Sequence, residues 1–233
     1  MGIGAIVITG VFMLIGWIVS ARLKSKFQRY SQIHLTKDLT GADVARLMLA
    51  DNGIHDVEVV SVEGQLSDHY NPANKTVNLS HDVYYGRNAA STAVAAHECG
   101  HAVQHAKAYG MLELRSALVP IQNISAKVIN IVFLAMMFGA VTIGGLFTVQ
   151  TALLVIIACY AVFALFSLIT LPVEFDASRR ALVWIEARGI VNKQEHDMAK
   201  DALKWAAMTY VVAAIGAITM LAYYVMLFLG RRD

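Results

Sequence analysis

The sequence predicts a mostly α-helical integral membrane protein with about four transmembrane helices and a small cytoplasmic α+β portion. The chain of 233 residues is 57% hydrophobic and 15% charged, and its mean hydropathy is +0.54. This composition is too apolar for an ordinary soluble domain. Charged residues are also absent from several long stretches, and a stretch of about 20 apolar residues is enough for one helix to cross a bilayer.

The first predicted element is a transmembrane anchor over residues 1–21, which contain no charged residue. A cleaved signal peptide is the alternative. Such a peptide begins with basic residues, however, and here the basic residues Arg22, Lys24 and Lys26 follow the apolar stretch instead. By the positive-inside rule, we expect residues 22–127 in the cytoplasm and the N-terminus outside.

Residues 22–127 are predicted to contain a short amphipathic helix and two or three strands. The spacing of Thr40 and Asp43 is that of a capping box, which marks the start of the helix. β-Branched residues alternate between Asp56 and Glu63, and a further strand is predicted from Lys75 to Leu79. We therefore expect a small sheet in this part of the chain.

The remaining predicted elements alternate between membrane and cytoplasm. Residues 128–173 carry no charge over about twice the length of one span, so they predict a helical hairpin with a tight turn near Gly144 to Gln150. Residues 174–205 contain six Lys and Arg residues and are predicted to form a helical segment on the cytoplasmic side. Residues 206–230 form the third uncharged apolar stretch and predict the fourth and last transmembrane helix.

The motif that carries chemistry is His97-Glu98-Cys99-Gly100-His101. On an α-helix its two histidines lie on one face, so both imidazoles can reach one metal ion. Glu98 is then positioned to act on a bound water, and Cys99 should face away. Ser91 and Thr92 are candidate N-caps of this helix. The pattern indicates metal-assisted hydrolysis of a peptide bond, and the alternative is a polar helix face whose histidines only hydrogen-bond to their neighbours.

A catalytic zinc site usually has three protein ligands and an open position, so a third ligand is needed. His105 lies about 12 Å from His97 along a helix axis, and one ion cannot easily bind both. Glu174 is the better candidate, because it is the first charged residue after the apolar hairpin and a carboxylate there is costly unless it is paired or coordinated. Asp176 is a competitor, and an ion pair with a following arginine is the alternative role for Glu174.

Four stretches of the sequence, the first of which contains the motif, resemble those of a known family. They are Ala95 to His105, Asp68 to Pro72, Val83 to Arg87 and Leu171 to Ser178. Together they resemble the YugP-type family of bacterial membrane zinc metallopeptidases, and the likeness covers nearly the whole chain. More distantly, Glu174-Phe175 followed by Ala177 is similar to the E-F-x-A-D signature of HtpX and the prenyl-protein endopeptidases, in which the glutamate is the third zinc ligand. The aspartate of that signature is Ser178 here. The resemblance implies an endopeptidase with a zincin-like cytoplasmic portion.

The sequence thus predicts a membrane-embedded zinc endopeptidase near the cytoplasmic membrane surface, with His97, His101 and Glu174 as ligands of Zn²⁺ and Glu98 as catalytic base. Mn²⁺ or Co²⁺ would suit the same ligands. We expect the lipid bilayer and peptide or protein substrates, among them membrane proteins, as partners, and no nucleic acid. The strand from Lys75 to Leu79 is either an edge that pairs with extended substrate or an ordinary strand of the sheet.

The rival interpretation is a non-enzymatic membrane scaffold with a structural zinc site. It would need a fourth protein ligand in place of the open position, supplied by Asp176 or His105. A transporter is less favoured, because the predicted spans contain no Lys, Arg, Asp, Glu or His that would mark a pathway. Cys159 lies inside the third predicted span and Cys99 in the motif, so no disulfide is expected.

Overall fold

The computed structural model describes residues 2–137 and 148–230. The chain divides into two compact units, the first formed by residues 1–18, 114–171 and 209–233 and the second by residues 19–113 and 172–208. The helices and strands, numbered in chain order, are α1 (Ile3–Ser31), α2 (Gly41–Asp51), β1 (Glu58–Val62), β2 (His69–Asn71), β3 (Thr76–Ser80), α3 (His81–Tyr84), α4 (Ala89–Ala106), α5 (Gly110–Met137), α6 (Val149–Ala187) and α7 (Lys193–Leu229).

Four helices of the described chain, α1, α5, α6 and α7, are long and apolar enough to cross a membrane. The mostly helical fold and the predicted number of about four spans are therefore confirmed. The helices are longer than the apolar stretches alone, and α6 continues through Pro172 to Ala187. The turn predicted near Gly144 to Gln150 lies largely outside the described residues, and α6 has already begun at Val149.

The first unit packs apolar side chains of these four helices against one another. Ala5, Ile129, Ile156 and Met220 are among its buried residues. Many apolar side chains on the same helices stay exposed in the isolated chain, and Trp17, at 69%, is one of them. Such a surface is unfavourable in water and is matched by the hydrocarbon of a bilayer.

The second unit contains the sheet, α2 and α4. Helix α2 begins as predicted, because the Thr40 hydroxyl accepts a hydrogen bond from the Asp43 backbone N–H and the Asp43 carboxylate accepts one from the Thr40 backbone N–H. The buried residues of this unit form a core that includes Val44, Leu79 and Cys99. Strands β1 and β3 confirm the two predicted strands, and β2 is the third.

The strand order of the sheet is β1-β3-β2. Strand β1 pairs with β3 in parallel, and β2 pairs with β3 in antiparallel. The interpretation of Lys75 to Leu79 as a substrate-binding edge is therefore wrong, because β3 is the central strand and has a neighbour on each side. Strand β2 is left at the edge, with one side of its backbone unpaired in the sheet.

Helix α4, which carries the histidine motif, starts earlier than predicted. Its N-cap is Asn88, whose side-chain oxygen accepts a hydrogen bond from the backbone N–H of Ser91 at 2.9 Å. Ser91 and Thr92, the predicted caps, lie inside the helix and are fully buried. The earlier start places His97 and His101 well away from either end of α4.

Candidate metal centre

Helix α4 presents His97 and His101 on one face, and α6 brings Glu174 against them. The Nε2 atom of His97 lies 3.3 Å from Oε2 of Glu174, and Nε2 of His101 lies 3.6 Å from the same oxygen. One possible ligand atom from each of the three residues lies within 4.8 Å of the others. The three predicted ligands therefore meet in one place, and Glu174 is only 2% exposed.

The chemistry of the group suits a zinc ion, and so do the two separations between Glu174 and the histidines. Zinc–nitrogen distances of about 2.0–2.1 Å in a tetrahedron put neighbouring ligand atoms about 3.3 Å apart, close to the two separations from Glu174. Two imidazoles and one carboxylate are a donor set that catalytic zinc uses. Among the described residues, no fourth His, Cys, Asp or Glu belongs to the group. Three ligands are the number that leaves a coordination position open.

Gly100, within the motif, lets the two helices come this close. A Cβ atom on this residue would lie 2.6 Å from the carbonyl oxygen of Ala177 and 3.1 Å from its Cα. Both atoms belong to the backbone of α6, which cannot rotate aside as a side chain can. Because Ala177 lies about one turn after Glu174, the glycine determines how closely the carboxylate approaches the histidines.

The second ring nitrogen of each histidine also has a partner. Nδ1 of His97 lies 3.1 Å from the hydroxyl of Ser178, and Nδ1 of His101 lies 3.0 Å from the side-chain oxygen of Gln104. Metal-binding histidines commonly use their second nitrogen in this way, which fixes the orientation of the ring. At His97 a serine hydroxyl therefore occupies the place that the related signature gives to an aspartate.

Asp176, the competitor of Glu174, does not belong to the group. Its carboxylate forms ion pairs with Arg179 and Arg180 and accepts a hydrogen bond from Gln104. Asp176 thus pairs with both of the arginines that follow it in α6. The two acidic residues point in different directions, as expected for positions two apart on a helix.

His105 also lies outside the group. Its Nδ1 is 2.8 Å from the hydroxyl of Tyr70, and the histidine is exposed. Cys99 faces away from the site as predicted, with its sulfur against the carbonyl oxygen of Ala45. Because neither His105 nor Asp176 joins the three ligands, neither closes the site in the way that a structural zinc centre requires.

Glu98 is held by the edge strand of the sheet. Its Oε2 accepts a hydrogen bond of 3.0 Å from the backbone N–H of Tyr70 in β2, and the residue is 8% exposed. At the neighbouring His101, burial lowers the pKa, but the carboxylates of Glu174 and Glu98 outweigh this and raise the pKa above its ordinary value. The surroundings of the group therefore favour a positive charge.

Four residues around the group received no individual role from the sequence: Tyr70, Gly100, Gln104 and Ser178. Gln104 follows His101 by three residues, which on a helix places both on one side, so its spacing was a usable signal. Ser178 was detectable through its place in the signature. Tyr70 and Gly100 act through contacts between distant segments, which leave no local pattern.

Comparisons with known proteins extend over nearly the whole chain, including the residues of the candidate metal centre. A family model described as "Putative neutral zinc metallopeptidase" matches residues 5–229. The "Putative membrane protease YugP" of Bacillus subtilis (strain 168) is 42% identical to the chain over 213 residues, which make up 91% of each protein. No solved structure shows significant similarity to the chain.

Proposed function

Since the chain belongs to the neutral zinc metallopeptidase family, we propose that it is a membrane-embedded endopeptidase whose zinc ion is held by His97, His101 and Glu174. The observation that carries this proposal is the convergence of two imidazoles from α4 and one carboxylate from α6 within 4.8 Å. Glu98, next to His97 in the motif, is the proposed catalytic base.

The proposed reaction is hydrolysis of a peptide bond. His97, His101 and Glu174 would hold a zinc ion, which as a Lewis acid would polarise the scissile carbonyl and lower the pKa of water toward about 7. Glu98 removes a proton from the attacking water as the oxygen of that water adds to the carbonyl carbon. The same carboxylic acid then protonates the amine nitrogen as the C–N bond breaks. Tyr70 holds Oε2 of Glu98, which leaves the other oxygen for this proton.

The proposed substrate-binding element is the free edge of β2, in place of the central strand β3. Strand β2 has a single neighbour in the sheet. The backbone N–H of Tyr70, in the middle of β2, donates to Glu98 and not to β3. The open side of the strand therefore faces the proposed base, and an extended peptide added there would run past Glu98.

The proposed location of the site is the cytoplasmic surface of the membrane. Glu174 is the first charged residue after residues 128–173, so its part of α6 follows directly on an apolar span. The basic residues that follow residues 1–21, and those within residues 174–205, favour the cytoplasmic side. Membrane proteins and their segments next to the bilayer are the proposed substrates.

Zinc content and casein cleavage, measured side by side on detergent-purified variants, test the proposal. Glu98→Gln should keep its zinc and lose cleavage, since the base contributes to the chemistry and not to the ligand set. Glu174→Ala should lose both. Glu113→Gln, at an exposed position of the same unit, is the control and should match the wild type. A wild type that binds zinc but cleaves neither casein nor membrane-protein substrates would contradict the proposed activity.

A further inference from the structure

Gln104 is fully buried although its side chain is an amide. It lies on α4, three residues after His101, and its side chain forms hydrogen bonds with the ligand histidine and with Val173 and Asp176 of α6. We infer that Gln104 is a positioning residue that fixes the tautomer and the orientation of the His101 imidazole as a zinc ligand. The inference rests on the proposed function, because it concerns one of the proposed ligands.

The contacts of Gln104 leave one orientation for its amide. Nε2 donates hydrogen bonds to the carbonyl oxygen of Val173 at 2.8 Å and to Oδ2 of Asp176 at 2.9 Å. A backbone carbonyl and a carboxylate can only accept, so the NH₂ group must face them. The side-chain oxygen must then face Nδ1 of His101, 3.0 Å away.

This orientation determines which nitrogen of His101 carries the proton. An amide oxygen can only accept a hydrogen bond, so Nδ1 of His101 has to be the donor. In the neutral imidazole, Nε2 is then left with a free lone pair. Nε2 is the atom that lies 3.6 Å from Oε2 of Glu174, on the side where the metal would bind. Gln104 therefore selects the form of His101 that can ligate zinc.

The same amide also connects α4 to α6 on both sides of Glu174. Val173 precedes this ligand directly, and Asp176 follows it by two residues. Ser178, the partner of His97, cannot act in this way. Its hydroxyl can both donate and accept a hydrogen bond, so it does not select a tautomer of His97. Gln104 is thus the contact that ties one histidine ligand to the segment carrying the carboxylate ligand.

Zinc affinity, measured by competition with a chromophoric chelator on detergent-purified protein, tests the inference without relying on activity. Loss of an outer partner of a metal-binding histidine typically weakens metal binding about 10- to 100-fold. We expect a loss of this size for Gln104→Leu, which keeps the volume and removes every hydrogen bond. The control is Val103→Ala, a neighbouring buried position without polar contacts, which should lower the melting temperature and leave the zinc dissociation constant unchanged.

A second pair of variants separates positioning from packing. Gln104→Glu keeps an acceptor for His101 but sets a carboxylate against Asp176, and it should weaken zinc binding. Adding Asp176→Asn restores a donor opposite the new glutamate, and the double variant should regain most of the lost affinity relative to Gln104→Glu. The visible spectrum of bound cobalt should change in Gln104→Leu and in Gln104→Glu, and in the double variant it should return toward that of the wild type.

Two results would overturn the inference. One is a wild-type zinc dissociation constant in Gln104→Leu. The other is a double variant that binds zinc no better than Gln104→Glu, which would reduce Gln104 to a packing residue. Failure of the proposed function would look different, because the wild type itself would then fail to bind zinc or to cleave any peptide bond.

Discussion

The carboxylate of Glu98 accepts a hydrogen bond of 3.0 Å from the backbone N–H of Tyr70. This contact joins the proposed base on α4 to the edge strand β2, so the base and the proposed substrate-binding edge have a fixed relationship. The donor is a main-chain group, and no side-chain substitution at Tyr70 removes it, except one to proline.

Tyr70→Pro is therefore expected to lower kcat while zinc content stays unchanged. The lost N–H points away from β3, and proline is tolerated in edge strands at such positions. Without this donor the Glu98 carboxylate is no longer held in place for the attacking water, and a misplacement of about 1 Å in a catalytic group can lower the rate about 100-fold. Tyr70→Phe is the matched control, since it also loses the hydroxyl contact with His105 but keeps the N–H. Equal kcat in the two variants would contradict the proposed role of the contact.

Gly100→Ala is expected to destabilise the second unit and to weaken zinc binding. The new Cβ would lie 2.6 Å from the carbonyl oxygen of Ala177, and overpacking of this kind costs about 1–3 kcal/mol. Thermal unfolding and zinc titration measure the two effects. Gly110→Ala is the control, because a Cβ there meets nothing within 4 Å. Wild-type zinc affinity in Gly100→Ala would show that the close approach is not needed for the site.

Removal of the metal with a chelator is expected to abolish cleavage and to lower the melting temperature, since a ligand that binds only the folded state stabilises it. Zn²⁺ or Co²⁺ should restore both properties, because imidazole and carboxylate suit these ions. Mg²⁺ should restore neither, because it prefers oxygen ligands. Full activity in the chelated protein would exclude metal-dependent hydrolysis.

Binding of the substrate as an added strand predicts an alternating response to backbone methylation. In an extended peptide, successive N–H groups point to opposite sides. Methylation of the amides that face β2 should block cleavage, whereas methylation of the amides between them should be tolerated. Cleavage rates of a series of singly N-methylated peptides measure this pattern. A uniform response along the series would argue against pairing with β2.

The proposed cytoplasmic location can be tested with a single cysteine. Gln65 is exposed in the second unit, and the native Cys99 and Cys159 are both buried. In intact cells, Gln65→Cys should resist a membrane-impermeant maleimide and should react after permeabilisation. Labelling of intact cells would place this unit on the outer side and reverse the predicted topology.

Local patterns were sufficient for much of the fold. Uncharged apolar stretches are recognised from composition over about 20 residues, which depends little on packing, and they predicted the number of candidate spans. The capping box at Thr40 and Asp43 is complete within one turn, so it was predictable as well. The histidine spacing within α4 and the position of Glu174 after the hairpin were enough to select the three residues that the fold brings together.

What the sequence did not reveal depends on contacts between distant segments. The sequence could not decide whether β3 is an edge or an inner strand, because its parallel pairing with β1 leaves no trace in the order of the strands along the chain. Asn88, and not Ser91 or Thr92, caps α4, and the sequence alone does not choose among nearby residues that are all good caps. The contacts of Gln104 with α6 required knowledge of how α4 and α6 pack.

The proposed ligands are separated in the chain by residues 128–173, the predicted apolar hairpin, with His97 and His101 before it and Glu174 after it. During synthesis, both histidines are therefore added to the growing chain long before Glu174. Until the hairpin has been synthesised, the growing chain has only two of its three ligands and lacks the contacts of Gln104 with Val173 and Asp176. The order of synthesis thus delays the appearance of a proteolytic site until most of the membrane-spanning part of the chain has been made.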